Sequence, residues 1–346
     1  MSRGEERRDG VQGETAGDTR AGARAAPTHP MRPPHAVLAL CGGVGGAKLA
    51  LGLQRIVEPG GLTVVVNTGD DFEHLGLCIS PDIDTTLYTL AGLAHPEQGW
   101  GRADETWSFM EALERLGGES WFRLGDRDLA LHVERTRRLA AGEPLSAIIA
   151  DFAARLGLAT RVLPMTDERV RTWVDTPGGA LAFQHYFVKQ RTVPRVTQIR
   201  FEGAGAARPA AAALEALARE DLAAVVICPS NPYLSIDPIL AVAGWREALR
   251  ATRVPVVAVS PLIAGQAVKG PTAKIMRELG LEVSPLTVAR HYAGLVGGFV
   301  VDEADAALAR KLDVPVCIAP TLMRTLEDKE RLAREVLAFA RALAAA

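Results

Sequence analysis

Short, mostly apolar runs recur along the chain and alternate with stretches whose apolar residues return every three or four positions. The runs are Ala36–Cys41, Leu62–Asn67, Arg161–Met165, Ala223–Cys228, Val254–Ser260, Phe299–Val301 and Val314–Ile318. Runs of this length with few polar alternates read as strands buried on both faces, the habit of parallel sheets. Between them lie helical patterns. One covers about 47–57, with Leu49, Leu53 and Ile56 on a common face, and another runs from Glu327 to the C-terminal end. Alternation of strand and helix predicts an α/β fold with a doubly wound, mostly parallel sheet.

Two stretches break that alternation. From Thr85 to about Gly157 the pattern is helical with few strands, interrupted by Trp121-Phe122-Arg123-Leu124-Gly125-Asp126-Arg127-Asp128. It reads as a helical insertion, about 86–157, capping the strand ends and excluding water from them. Val170–Val174, Ala180–Phe183 and Val196–Phe201 alternate as a small antiparallel excursion. Residues 1–34 are rich in Arg, Gly, Ala, Glu and Thr with almost no large aliphatics, which predicts a disordered tail. The remainder, 35–346, reads as a single domain.

The second apolar run opens into Asn67-Thr-Gly-Asp-Asp-Phe-Glu-His-Leu-Gly-Leu-Cys-Ile-Ser-Pro-Asp-Ile-Asp-Thr85. Strand ends in open α/β sheets are where ligands bind. This one releases four carboxylates, Asp70, Asp71, Asp82 and Asp84. Ser80-Pro81-Asp82 could simply open a helix, and Asp70 could be a turn residue. Capping does not need four acids around one strand end, however. Oxygen-only ligands suit Mg²⁺, held by one or two carboxylates and substrate phosphates. The stretch therefore points to metal-assisted phosphate chemistry, with Asp71, Asp82 and Asp84 as metal ligands or as groups that orient a hydroxyl and take its proton.

The first run breaks at Gly42-Gly-Val-Gly-Gly-Ala-Lys48 ahead of a helix. Strand, glycine turn and helix N-terminus make a phosphate-binding element, so Gly42, Gly43, Gly45, Gly46 and Lys48 are candidates for holding phosphates. Lys48 sits where a cation disfavours the helix, which a bound anion would offset. The turn lacks the Walker ending and the third glycine of the dinucleotide fingerprint. A tight turn whose glycines only permit close packing is the plainer reading. Ser230 and Asn231, after the Ala223–Cys228 run, offer a hydroxyl and an amide at another strand end, for a nucleotide or for a turn. The Arg123–Asp128 segment is either a surface ion pair or a pocket wall for a flat aromatic ligand beside Trp121 and Phe122. His132 is a helix residue or a ligand contact.

Composition narrows the partners. With 346 residues, 48% hydrophobic, and a net charge of −2, nothing calls for nucleic acid or an anionic membrane. No apolar stretch reaches the length of a membrane span. The four cysteines form no CxxC pair, and the tail lacks the apolar core of a secretory signal. These features suit a reducing cytoplasm.

Taken in order, Cys41–Lys48, Asn67–Asp71, Ser80–Thr85, Leu124–Asp128, Leu163-Pro-Met-Thr-Asp167, Pro229-Ser-Asn-Pro232 and Val259-Ser-Pro261 resemble the 2-phospho-L-lactate transferase family of coenzyme F-420 biosynthesis. The resemblance spans Ala36 to the C-terminal helix. It implies a Rossmann-like, Mg²⁺-dependent phosphotransferase, a cytoplasmic homodimer. Such an enzyme moves a phospho-three-carbon acid (phospholactate, phosphoenolpyruvate or 3-phosphoglycerate) from its guanosine diphosphate adduct to the ribityl hydroxyl of the deazaflavin FO, releasing GMP. It further implies that Asp84 and Arg123 contact FO, with Asp126 and Asp167 in the matching motifs beside them. Arg123 stands where the family often has Lys, and Thr166 where it has Ser. The alternative is a sugar-nucleotide-binding regulator of the same superfamily, which would not need the Asp82/Asp84 pair. A dinucleotide oxidoreductase is disfavoured by the missing glycine.

Overall fold

The computed structural model describes residues 36–346; the tail expected to be disordered lies outside the described residues. Seven strands form the central sheet: β1 (Ala36–Cys41), β2 (Leu62–Val66), β3 (Arg161–Pro164), β4 (Leu222–Ile227), β5 (Val256–Val259), β6 (Gly298–Val301) and β7 (Val316–Ile318). Their spatial order is β7-β6-β5-β4-β1-β2-β3. Every neighbouring pair is parallel. Each run read as a strand is one, with ends that agree to within two residues. The order reverses between β1 and β4, so the crevice beyond their C-terminal ends is the topological switch point.

The period of two along β1 divides the core. Ala36, Leu38 and Leu40 face one apolar layer, and Val37, Ala39 and Cys41 the other, all essentially without exposure. The second layer is closed by helix α1 (Gly43–Ile56) and the C-terminal helix (Leu326–Ala344). These two approach so closely that a Cβ on Gly52 would lie 2.1 Å from the Lys329 carbonyl oxygen.

Three differences from the sequence expectation have physical causes. Helix α1 starts at Gly43 rather than near Ala47, because Gly42 is extended (φ −165°, ψ 151°) and Gly43 turns at φ +62°. The acidic stretch folds as a hairpin, Phe72–His74 against Leu77–Ile79. Its turn, Leu75 (φ +53°) and Gly76 (φ +75°), has the two positive φ angles of a two-residue hairpin turn. The next helix, α2 (Pro81–Leu90), begins four residues early, with Pro81 in its first turn.

Helices α3 (Ser108–Arg115), α4 (Asp128–Ala140) and α5 (Leu145–Arg155) follow α2, close to where the pattern put them. Ile79, Met110 and Leu124 make a separate small core with Trp107 and Phe122 around them. The antiparallel excursion is a three-stranded sheet of Arg171–Thr176, Gly179–Ala182 and Gln198–Glu202.

The approach at Gly52 is testable. Gly52→Ala drives a methyl into a main-chain oxygen, a strain that outweighs the ~1 kcal/mol gain in helix propensity. The variant should lose about 1–3 kcal/mol in urea unfolding. An unchanged or raised midpoint would show that the two helices separate freely.

Candidate functional site

The site is built on the Asn67 side chain, which is fully buried at the end of β2. Its main chain continues the sheet, donating to the Cys41 carbonyl at 3.0 Å. Its Oδ1 accepts from the Gly69 N–H at 2.8 Å, folding the loop back. Its Nδ2 donates to a carboxylate oxygen of Asp70, to Asp82 Oδ2 at 3.0 Å and to the Leu234 carbonyl at 3.3 Å. One amide thus joins the β2 loop, the first turn of α2 and the segment after β4.

The two carboxylates sharing that amide are buried and line a cavity of about 1200 Å³. Among the described residues neither has a Lys, Arg or His ion-pair partner. Burial pushes Asp82 up to about 6 despite donors from Asn67 and the Gly43 N–H. Burial and the Asp82 charge push Asp70 well above the usual carboxylate range. Buried together, the two acids resist carrying two negative charges at once, so the pair takes up a proton more readily than ordinary carboxylates. Oxygen-only groups of this kind are the donor type that Mg²⁺ takes alongside water and phosphate oxygens.

The expected metal triad does not form. Asp71, Asp82 and Asp84 do not converge, and no cluster of three or more His, Cys, Asp or Glu side chains among the described residues is placed to hold a metal. Asp71 lines a smaller cavity of about 160 Å³, and its Oδ2 accepts from Ser80 Oγ at 2.7 Å. Burial raises it to about 7 against the pull of Arg171. Asp84 lines the main cavity, but its carboxylate is engaged bidentately by the fully buried Arg135, with Nη1 3.2 Å from Oδ2. Asp70, unassigned in the sequence reading, is the acid that accompanies Asp82.

Around Asp84 the cap supplies a buried polar chain. Arg135 also donates to the Cys78 carbonyl at 3.2 Å, tying α4 to the hairpin. His132 lies between two acids, its Nδ1 3.6 Å from Asp84 Oδ2 and its Nε2 3.2 Å from Asp128 Oδ2. The Tyr88 hydroxyl donates to Asp128. Spacing alone carried a usable signal here, since Asp128, His132 and Arg135 recur at i, i+4 and i+7 on one helix face, opposite Asp84 and Tyr88 at i and i+4 on another.

The glycine turn occupies the switch-point wall. Gly42, Gly43, Gly45 and Lys48 line the cavity. A Cβ on Gly42 would lie 2.7 Å from Asp82 Oδ2, and one on Gly45 2.6 Å from the Pro229 carbonyl, so the turn touches both partners through bare backbone. Gly46 instead packs inward, where a Cβ would meet Ser230 Oγ at 2.4 Å. Ser230 Oγ accepts from the Gly42 N–H at 3.1 Å and also lines the cavity. Asn231 serves both readings. Its Oδ1 caps the next turn at Tyr233 N (3.0 Å) and Leu234 N (3.2 Å), while its Nδ2 is buried with no hydrogen-bond partner among the described residues, and the residue lines the cavity.

Aromatic residues make the opposite lining. Trp121 stacks on His185 at 4.8 Å and meets Phe122 edge-on at 5.8 Å. The Arg123 guanidinium lies over the Trp107 ring at 4.1 Å and faces the cavity. Asp126 and Asp167 do not line it. Asp126 accepts from Ser108 N and Phe109 N, both at 3.0 Å, and so caps α3. Asp167 accepts from Ser146 N at 2.7 Å and caps α5. Both serve orphan helix-end donors from a distance in sequence, which no local pattern reveals.

The fold defines the class, an α/β protein of Rossmann-like topology with a large cavity at its switch point. The family model for 2-phospho-L-lactate transferase CofD matches residues 37–330, and the chain belongs to that family. It is 41% identical over 313 residues to the phosphoenolpyruvate transferase of Streptomyces griseus, covering 88% of this chain and 98% of that one. It is 38% identical over 307 residues to the 2-phospho-L-lactate transferase of Methanocaldococcus jannaschii, covering 88% and 97%. A solved UPF0052-family protein of Bacillus halodurans shares the fold, with a TM-score of 0.58 at 16% identity over 89% of this chain and 99% of that one. The family resemblance read from the motifs therefore stands. Among the described residues no helix is long and apolar enough to cross a membrane.

The raised acids set the sign of a pH effect. Asp71 has a folded value of about 7 against an ordinary 3.8. Between those values the folded state binds more protons than the unfolded, so stability falls as pH rises. Asp71→Asn keeps an acceptor for Ser80 and removes the titration. Relative to the variant, the parent protein should lose on the order of a few kcal/mol from pH 4 to pH 7 in urea melts. Parallel curves would mean that Asp71 is ionised without penalty.

Proposed function

We propose that the chain transfers a phospho-three-carbon acid from its guanosine diphosphate adduct to the ribityl hydroxyl of the deazaflavin FO, releasing GMP, as a step of coenzyme F-420 biosynthesis. The observation that carries this reading is the coincidence of three elements in one cavity: the glycine turn, the Asp70/Asp82 pair on Asn67, and the aromatic wall with Arg123. Membership of the family supplies the reaction class. Relatives named for phosphoenolpyruvate and for 2-phospho-L-lactate both align over most of their length, so the acid belongs to that small class.

Each wall has a task. The backbone N–H groups of Val44 and Gly45 and the Lys48 ammonium bind the diphosphate, while Ser230 and Asn231 place the guanosine. The flat deazaflavin lies against Trp107, Trp121 and Phe122 with Arg123 at its edge. Mg²⁺ held by Asp70 and Asp82 would neutralise charge on the diphosphate oxygens. Asp84, fixed in orientation by Arg135, accepts a hydrogen bond from the attacking hydroxyl and turns its oxygen toward phosphorus. The hydroxyl proton passes to Asp84, whose carboxylate burial makes more basic than usual, against the Arg135 and His132 charges. The cap keeps water from competing for the phosphoryl centre.

Incubation of the full chain with FO, Mg²⁺ and each guanosine diphosphate-linked acid should give the phospho-acid ester of FO and GMP by mass analysis. Chelation of the metal should stop it. Asp82→Asn should lower kcat by about a hundredfold or more. Binding of a UDP-sugar without any turnover of FO would favour the regulator instead. Wild-type turnover of Asp82→Asn would remove the acid pair from the mechanism.

A further inference from the structure

Of the lysines that line the cavity, Lys189 lies by Trp121, and Lys48 and Lys269 meet at the glycine turn. Lys48 reaches out of α1, and its Nζ donates to the Met323 carbonyl at 3.0 Å. Lys269 comes from the loop after β5, and its Nζ donates to the Gln98 carbonyl at 3.0 Å. Neither has a carboxylate partner among the described residues. Their charges are near enough to interact, since burial first and then the Lys269 charge lower Lys48 from its ordinary value.

Gly99 locates the second lysine. A Cβ there would lie 2.7 Å from Val44 Cγ1 and 3.7 Å from Lys269 Nζ. Val44 is in the glycine turn, so the loop around Gly99, the turn and the Lys269 ammonium meet at one place. Gly99 turns at φ +73° and Gly101 at φ +68°, bending this loop over the turn with the exposed Trp100 between them. Like charges gathered on neutral carbonyls beside a row of amide donors form an incomplete anion site. A phosphate oxygen is a stronger acceptor for either ammonium than a carbonyl.

We infer that Lys269 is a second phosphate-binding cation that joins Lys48 on the donor diphosphate at the glycine turn, with its carbonyl partner Gln98 linking that contact to the loop that bears Trp100. This rests on the reading of the donor as a diphosphate. It adds a group that neither the motifs nor the glycine turn indicated.

Isothermal titration of the full chain with inorganic pyrophosphate, and separately with GDP, tests it without turnover. Lys269→Gln should weaken both ligands about tenfold or more, the size of one charge-assisted contact. Lys269→Arg, which keeps the charge, should stay within about threefold, and FO affinity should be unchanged in both. If Lys269→Gln binds pyrophosphate and GDP as the parent does and only melts earlier, the lysine is a loop fastener and the inference fails. The two readings fail separately. Lys269-dependent pyrophosphate binding without transfer from any linked acid upholds the inference and overturns the proposed reaction. Transfer that Lys269→Gln leaves unaltered does the reverse.

Discussion

The site depends on one buried side-chain amide. Asn67 has no exposure, and its donors are shared between two acids and a main-chain carbonyl from three separate parts of the chain. A buried amide left without acceptors costs on the order of 1–3 kcal/mol, and so do carboxylates without donors. Each group therefore holds the others in place. That reciprocity brings Asp70 and Asp82 to the same opening although eleven residues, including a hairpin, lie between them. It also keeps the β4 segment against the β2 loop, where Ser230 can receive the Gly42 N–H.

A second buried contact sets the position of the cap. Arg135 pairs with Asp84 and also donates to the Cys78 carbonyl, joining α4, α2 and the hairpin. Buried ion pairs are a weak source of net stability, since desolvation offsets the attraction. Their use here is orientation. A cavity-lining carboxylate whose oxygens are to keep a fixed direction is better held by a planar, bidentate partner than by water. In the proposed reaction the glycine turn would make the nucleotide end and the cap the acceptor end.

The fold was readable from the chain because parallel strands buried on both faces leave no choice of residue, as the unbroken run of β1 shows. The glycine turn was readable because only glycine permits the backbone contacts with Asp82 and Pro229. The roles of individual acids were not. Asp71 and Asp82 look alike in a sequence, and only the hairpin between them, closed by Leu75 and Gly76, turns one toward the smaller cavity and the other toward the larger. Asp126 and Asp167 looked like ligand contacts because they stand in family motifs, yet each caps a helix that begins about twenty residues earlier in the chain. Arg135 and Lys269 were passed over for the opposite reason. Each is held by a partner far away in the chain, Asp84 and the Gln98 carbonyl; for Arg135 only its helical spacing from Asp128 and His132 hints at this, and for Lys269 nothing local does.

The account stands on Asp70 and Asp82 acting as a pair that accepts a divalent cation next to the glycine turn. Crystals of the full chain grown with Mn²⁺ and GDP, measured for anomalous scattering, address it directly. The predicted result is a peak about 2 Å from oxygens of both Asp70 and Asp82, shared with a phosphate lying on Gly42–Gly45. A bound GDP with the manganese at Asp71 or on the Asp84–Arg135 pair, or with none between Asp70 and Asp82, would contradict it.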